Sequence, residues 1–301
     1  MRWVVTGAAG FIGSHLSEAL RARGDDVVAV DCFTDYYDPA EKEENARGLD
    51  VRRVDLAGES LDLVGVDGVF HLAGQPGVRS FGDVFPLYLR RNVLATQRVL
   101  ETASSAGVRV VYASSSSVYG NAERYPTPED TVPQPISPYG ITKLACEHLA
   151  RAYGLDAVGL RYFTVYGPRQ RPDMLFRRLC DALAAGGTIE LYGSGEQSRS
   201  FTEVADVVGA TIAAMEAAPA GALYNVGGGE EASVLEAIAL LESVSGLTLD
   251  VRHVDPARGD VRRTKADVSR IRDALGWEPR VPLADGLSRM WAWASARVAT
   301  P

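Results

Sequence analysis

One stretch near the start of the chain limits the fold more than any other. Arg2–Thr6 is a short apolar run, RWVVT, and the glycine-rich segment TGAAGFIG follows from Thr6 to Gly13. A helical pattern begins inside that segment. Ile12, Leu16, Ala19 and Leu20 share one stripe over Ile12–Arg23, and Gly24 is the expected stop. A second apolar run, Val27–Val30, then ends at Asp31. Strand, helix and strand within about 30 residues predict a βαβ unit, whose two strands must be parallel.

The alternation continues. Strands are expected at Val51–Val54, Gly68–His71, Val108–Ala113 and Ala157–Leu160. Helices are expected around Val84–Ala106 and from YGITK (Tyr139–Lys143) to about Tyr153. Such alternation predicts an α/β fold, a doubly wound parallel sheet of Rossmann type with helices on both faces. Beyond about residue 167 the pattern loosens. Helices are expected at Asp173–Ala185, Asp206–Ala217, Ser233–Ser243 and Ala266–Leu275, with strands at Thr188–Leu191 and at Leu223 onward, where LYNVGGG runs into a turn. Residues 1–167 are therefore expected to form a dinucleotide-binding domain. Residues 168–301 are expected to form mainly a smaller mixed α/β substrate-binding region, with some chain returning to the first. No Gly/Ser linker separates the two.

Composition removes several function classes. The net charge of −8 offers no basic surface for nucleic acid. Cys32, Cys146 and Cys180 are odd in number and far apart, with neither disulfide-framework nor zinc spacing. The four histidines are scattered, so no metal site is expected. No apolar run approaches the ~18 residues a membrane helix needs. The scattered cysteines fit a reducing cytoplasm, and the N-terminus opens into a strand without a basic region and apolar leader.

The glycine segment has a chemical reading. Gly7 permits a tight turn, Gly10 lets the backbone approach a pyrophosphate, and Gly13 lets the helix pack close to the sheet. Exposed N–H groups and the helix dipole then favour an anion. Asp31, at the end of the second strand, can accept hydrogen bonds from a ribose diol and would repel a 2′-phosphate, which selects NAD over NADP. Asp55, after the third strand, stands either near an adenine amino group or as a strand-end cap.

A second constellation carries acid–base chemistry. YASSSSVYG (Tyr112–Gly120) falls at the carboxyl end of the fifth strand, the edge where open parallel sheets bind ligands. Tyr139 and Lys143 follow on the next predicted helix, four residues apart and so on one face. A free phenol keeps its proton until about pH 10, and neighbouring cations favour the phenolate. Tyr139 could then take a proton from a substrate hydroxyl while hydride leaves the carbon beneath it, with Ser115 sharing the hydrogen bond.

Together TGAAGFIG, HLAG (His71–Gly74), YASSSSVYG, SPYGITK (Ser137–Lys143) and LRYFTVYGPRQRPDM (Leu160–Met174) resemble the extended short-chain dehydrogenase/reductases, within them the NAD-dependent nucleotide-sugar epimerase/dehydratase group. EQSRSFTEVADVV, YNVGGGE and GDVRRTKAD extend the resemblance almost to the end of the chain. It implies Ser115, Tyr139 and Lys143 as the catalytic set and NAD contacts from Phe11, Ile12, Leu56, Leu72, Ala73 and Asn92. It further implies a homodimer formed through the helices near 84–106 and 137–153.

Family members share a first step, oxidation of a sugar at C4. Dehydratases usually carry Asp-Glu after the catalytic Ser/Thr, and decarboxylases a Glu in that stretch. Here Ser116 and Ser117 stand there, and neither can act as a carboxylic acid. The reaction left is 4-epimerisation. FTDYYDPAEKEEN (Phe33–Asn45) and FTVYGPRQRPDM (Phe163–Met174) are similar to UDP-glucuronate 4-epimerases. That subgroup implies Thr164 and Arg171 as holders of the sugar carboxylate, with Arg169 as the alternative. A guanidinium fork matches a carboxylate bidentately, and a 4-keto uronate must be kept from losing carbon dioxide. Arg199 and Arg258 are the implied diphosphate anchors. Gln75, Arg79, Asn92, Ser116 and Ser117 are further pocket candidates. The rival readings are a 4-epimerase of a neutral UDP- or TDP-hexose, a decarboxylase or dehydratase, and an NAD-binding sensor without activity.

Overall fold

β1 (Arg2–Thr6) runs into the glycine turn, and α1 (Phe11–Ala22) leaves it with Gly10 as its N-cap. The chain then forms β2 (Asp26–Asp31), α2 (Pro39–Asn45), β3 (Val51–Arg53) and β4 (Gly68–His71). A short α3 (Phe85–Tyr88), a π-helical turn (Leu89–Leu94) and α4 (Ala95–Ala106) lead into β5 (Arg109–Ser115). Next come α5 (Pro138–Tyr153), β6 (Ala157–Tyr162) and β7 (Thr164–Tyr166). They are followed by α6 (Leu175–Ala185), β8 (Thr188–Tyr192), β9 (Ser198–Glu203), α7 (Val204–Ala217) and β10 (Leu223–Val226). β11 (Glu231–Ser233), α8 (Val234–Ser245), β12 (Asp250–Val254), β13 (Arg263–Thr264), α9 (Ser269–Leu275) and α10 (Leu283–Val298) complete the chain. This computed structural model describes residues 1–78, 80–255 and 261–298.

Seven strands make one parallel sheet in the order β10-β6-β5-β4-β1-β2-β3. The order reverses between β1 and β4, and ligands of doubly wound sheets bind at the carboxyl ends of such a switch point. β1 and β4 are buried nearly throughout, as strands covered by helices on both faces must be. One core lies under α1 and α7, around Val5, Leu16, Phe70, Leu160 and Val207. A second fills the opposite face, around Val4, Val69, Leu100 and Val110.

Residues 204–226 return to this sheet, α7 covering it and β10 forming its edge. A third core, with Tyr166, Phe176, Phe201, Leu241 and Leu287, joins α6, α8 and α10 around β9. There β9 pairs with β7, β11 and β13, and β8 pairs separately with β12.

Two expectations need correction. The helix expected over Val84–Ala106 is broken by the π-helical turn at Leu89–Leu94. The helix expected from Ala266 begins at Ser269, because Ala266 bridges to Thr127 and the Asp267 carboxylate accepts from the Ser269 N–H.

The site is braced from beneath by a buried ion pair. Arg161 of β6 donates to Glu147 of α5 through Nε (2.9 Å) and Nη2 (2.8 Å). Ser114, next to Ser115, donates to the same carboxylate at 2.5 Å. Arg161 also donates to Tyr119 Oη (2.7 Å), whose hydroxyl reaches Asn225 on β10 (2.7 Å). The desolvated charges are thus paired and their remaining capacity is used, which such a pair requires.

Candidate active site

The glycine segment closes on itself by a hydrogen bond from Gly10 N to Gly7 O (3.0 Å). Gly7 sits at φ +71°, and a Cβ there would stand 2.8 Å from Ala73 N. Gly13 lies against the Gly7 carbonyl so closely that a Cβ would overlap its oxygen and stand 2.8 Å from its carbon. The helix N-terminus is therefore held directly over the turn, with its N–H groups aimed outward.

A cavity of about 630 Å³ opens above this turn and continues across the sheet edge into the second region. Gly7, Gly10, Phe11, Ile12 and Gly13 form one end of its wall. Asp31, Asp55, Leu56, Leu72 and Ala73 extend that end. The Asp31 carboxylate is fixed by the N–H groups of Ala9 (3.2 Å) and Phe33 (2.8 Å). Lys42 reaches in from α2, its Nζ 3.9 Å from Asp31 Oδ1 and bonded to Thr34 Oγ1 at 2.8 Å. Burial lowers the Lys42 pKa while Asp31 pulls it back up. This pair places a carboxylate acceptor and an ammonium donor side by side on the cavity wall. Lys42 was missed in the sequence because a lysine in a charged helix, PAEKEEN, reads as solvated. Asp55 is paired with Arg90 at 2.6 Å, which holds its carboxyl below the usual range.

Asn92 departs from expectation. It is buried, and its amide is consumed by Gln75 and Thr142: Oδ1 accepts from Gln75 N (2.6 Å), and Nδ2 donates to Gln75 O (3.1 Å) and Thr142 Oγ1 (3.0 Å). It is absent from the cavity wall and instead ties the Gln75 loop to α5. The π-helical turn delivers it there; such turns often mark functional positions.

Gln75 lines the cavity and accepts from Arg91 Nη1 at 2.7 Å.

The middle of the cavity gathers Ser115, Ser116, Ser117, Tyr139 and Lys143. Ser137 caps α5 by accepting from Gly140 N (3.1 Å), and Pro138 opens its first turn. A Cβ at Gly140 would stand 2.5 Å from Ser117 O, so the first turn of α5 rests directly on the serine loop. That contact seats the turn carrying Tyr139 on the loop carrying Ser117, and both Tyr139 and Ser115 line the cavity. Lys143 Nζ lies 5.8 Å from the Tyr139 ring centroid and donates to Ala113 O at 2.9 Å. Ser115 Oγ accepts from Ser117 N (3.2 Å) and donates to Ser117 Oγ (3.1 Å). Tyr88 packs edge-on against Tyr139, with 6.2 Å between centroids.

The far end is lined by Thr164, Arg171 and Arg199. Arg171 forms a bidentate pair with Asp173, Nε to Oδ1 and Nη2 to Oδ2, both 3.0 Å. Arg169 does not line the cavity; at φ +63° it turns away to grip Glu18 at 2.8 and 2.9 Å. Arg199 donates to Ser198 O (2.8 Å) and Val261 O (2.5 Å). Thr264, opposite Arg199 in the β9–β13 pairing, adds to the wall a buried hydroxyl without a hydrogen-bond partner among the described residues. Arg79 and Arg258 lie outside the described residues. Among the described residues no cluster of His, Cys, Asp and Glu could hold a metal.

Residues 3–227 match the NAD dependent epimerase/dehydratase family. The chain belongs to that family. Its glycine cradle, Asp31–Lys42 pair and long cavity fit the dinucleotide of the family's name. Among relatives of this epimerase/dehydratase chain, an uncharacterized UDP-glucose epimerase, YtcB, of Bacillus subtilis is 40% identical over 312 residues, covering 98% of each chain. The structure of a UDP-glucuronic acid 4-epimerase from Bacillus cereus, in complex with UDP-glucuronic acid and NAD, superposes with a TM-score of 0.95 at 38% identity, covering 99% of this chain and 100% of that one. MoeE5 in complex with UDP-glucuronic acid and NAD is 45% identical, with a TM-score of 0.89 and the same coverage.

Proposed function

We propose that this chain is an isomerase that interconverts UDP-glucuronate and UDP-galacturonate by NAD-dependent 4-epimerisation. The observation that carries this reading is the alignment, in one cavity, of the dinucleotide cradle, the Ser115–Tyr139–Lys143 group and the Arg171 fork, with no carboxylate at positions 116 and 117. NAD, when bound, supplies a hydride acceptor that also returns the hydride. Tyr139 takes the proton of the C4 hydroxyl, and Ser115 shares that hydrogen bond. Lys143, anchored by Ala113 O, supplies the cation that a phenolate needs beside it. Arg199 holds the diphosphate while the sugar turns over, assisted by Arg258. Thr164 and Arg171 hold the uronate carboxylate out of line with the C4 carbonyl, which blocks decarboxylation.

A neutral UDP-hexose is the second reading, supported by the Bacillus subtilis relative described as a UDP-glucose epimerase. Separate incubation with UDP-glucuronate and UDP-glucose, read by NMR, decides between them. Turnover of UDP-glucose alone would overturn the uronate assignment.

The exposed apolar side chains Phe85, Leu87, Leu89 and Leu94, with Ile141 on α5, support pairing of two copies through these helices. Leu89→Glu should then convert a dimer to a monomer in light scattering. Among the described residues no helix is long and apolar enough to cross a membrane. Three free cysteines support a cytoplasmic setting.

A further inference from the structure

The Arg171 fork is already engaged by a carboxylate of the chain itself. Asp173 takes Nε and one hydrogen of Nη2, the side-on edge of the guanidinium. Asp173 is in turn held by Tyr36, whose hydroxyl donates to Oδ2 at 3.2 Å. The Tyr36 ring also faces the guanidinium, with its centroid 6.0 Å from Cζ. Burial, with Asp173 nearby, raises the Tyr36 pKa to about 12, so its phenol remains a donor at any working pH.

Tyr36 sits on a fixed support. Its loop ends at α2, whose N-cap Asp38 accepts from Ala40 N (2.9 Å). Glu41 of α2 is clamped by Arg177 of α6 through Nη1 (2.9 Å) and Nη2 (3.0 Å). The first region thus reaches across to the second at the point where Arg171 is oriented.

A guanidinium has five N–H donors on two usable edges. With the side-on edge filled, Arg171 keeps Nη1 and the second hydrogen of Nη2. Nη1 has no hydrogen-bond partner among the described residues, and Arg171 lines the cavity. We infer that Asp173 and Tyr36 are positioning residues: they lock the side-on edge of Arg171 so that its end-on edge is presented to the substrate carboxylate. This deepens the uronate reading and rests on it. Both residues also line the cavity, but their role here is exerted on Arg171: the lock fixes a flexible arginine in advance, so less freedom is lost on binding. It also makes the sugar carboxylate's orientation depend on the Tyr36 loop.

Asp173→Asn removes one acceptor oxygen and turns an amide N–H₂ toward the arginine. A charge-assisted bidentate contact is lost, so kcat/KM for UDP-glucuronate should fall about 10- to 100-fold. Affinity for UDP-glucuronate relative to UDP should fall about tenfold, and pentose product should rise. Tyr36→Phe should move the same readouts in the same direction, by a few-fold. The deciding measurement is a double-mutant cycle. In an Arg171→Ala background, Asp173→Asn should cause less than about a twofold further loss. Multiplying losses would mean that Asp173 acts independently of Arg171, and would overturn the proposal. So would full uronate turnover by Asp173→Asn. If the unmodified chain does not turn over UDP-glucuronate, the function proposed above fails first and the lock fails with it.

Discussion

Gly13→Ala tests the cradle most sharply. The new methyl would overlap the Gly7 carbonyl oxygen and stand 2.8 Å from its carbon, where ordinary contact begins at 3.4 Å. The neighbour is backbone and cannot swing aside. The first turn of α1 must therefore retreat by about 1 Å to restore normal separation. A hydrogen bond from its N–H groups to a phosphate, stretched by about 1 Å, is no longer a bond. Two such charged bonds lost cost about 3–6 kcal/mol, more than about 100-fold in NAD affinity. Overpacking should also lower stability by about 1–3 kcal/mol. The assay is calorimetric titration of cofactor-stripped protein with NAD, alongside thermal melting. Gly10→Ala is the comparison: its Cβ would lie 3.1 Å from Gly7 O, so the turn need give only by a few tenths of an ångström while the methyl meets the pyrophosphate. It should lose NAD affinity without the drop in melting temperature. Gly13→Ala binding NAD within about tenfold of the parent would refute the cradle geometry.

Two further outcomes follow from buried groups. His71, between Thr6 and Thr96, is pushed down to about 3 by burial, with Lys143 adding to the effect. Its folded pKa lies below that of an ordinary imidazole, so the stability it contributes is full above about pH 6.5 and falls as the pH drops toward 3; at pH 5 the loss is about 2 kcal/mol. Urea titrations at pH 7 and pH 5 should show that loss, and His71→Gln should flatten it; an unchanged slope in the variant would contradict the assignment. Glu147→Ala leaves the buried Arg161 guanidinium unpaired and should destabilise the fold by about 3–5 kcal/mol in denaturant titration. A cost under about 1 kcal/mol would show that water or Tyr119 compensates.

The first half of the fold was legible because its elements are regular. β1, α1 and β2 pair an apolar run with a 3.6-residue stripe and a glycine stop, and each signal agrees with its neighbour. α10 was not assigned, because LADGLSRMWAWASARV mixes aromatic and small residues without a clear stripe, and its packing against α6 and α8 decides it. β9, SRSFTE, reads as a polar segment; it becomes a strand because β7, β11 and β13 surround it. The π-helical turn has no sequence signature of its own. It appears where Asn92 must reach Gln75 and Thr142 together. In the site, glycines and the Tyr-x-x-x-Lys spacing are local signals and could be read directly. Lys42, Tyr36 and Asp173 could not, since the places proposed for them rest on folded contacts, Lys42 with Asp31 and Tyr36 with Asp173 beside Arg171.

The proposed epimerisation requires that hydrogen leave the sugar's C4 and return to the same carbon. UDP-glucuronate carrying deuterium at C4, incubated with the protein in ordinary water, tests it directly by NMR and mass spectrometry of the product. The expected product is UDP-galacturonate that keeps its deuterium, with none formed by Tyr139→Phe. Loss of the label to solvent during turnover, or full activity without the Tyr139 hydroxyl, would contradict it.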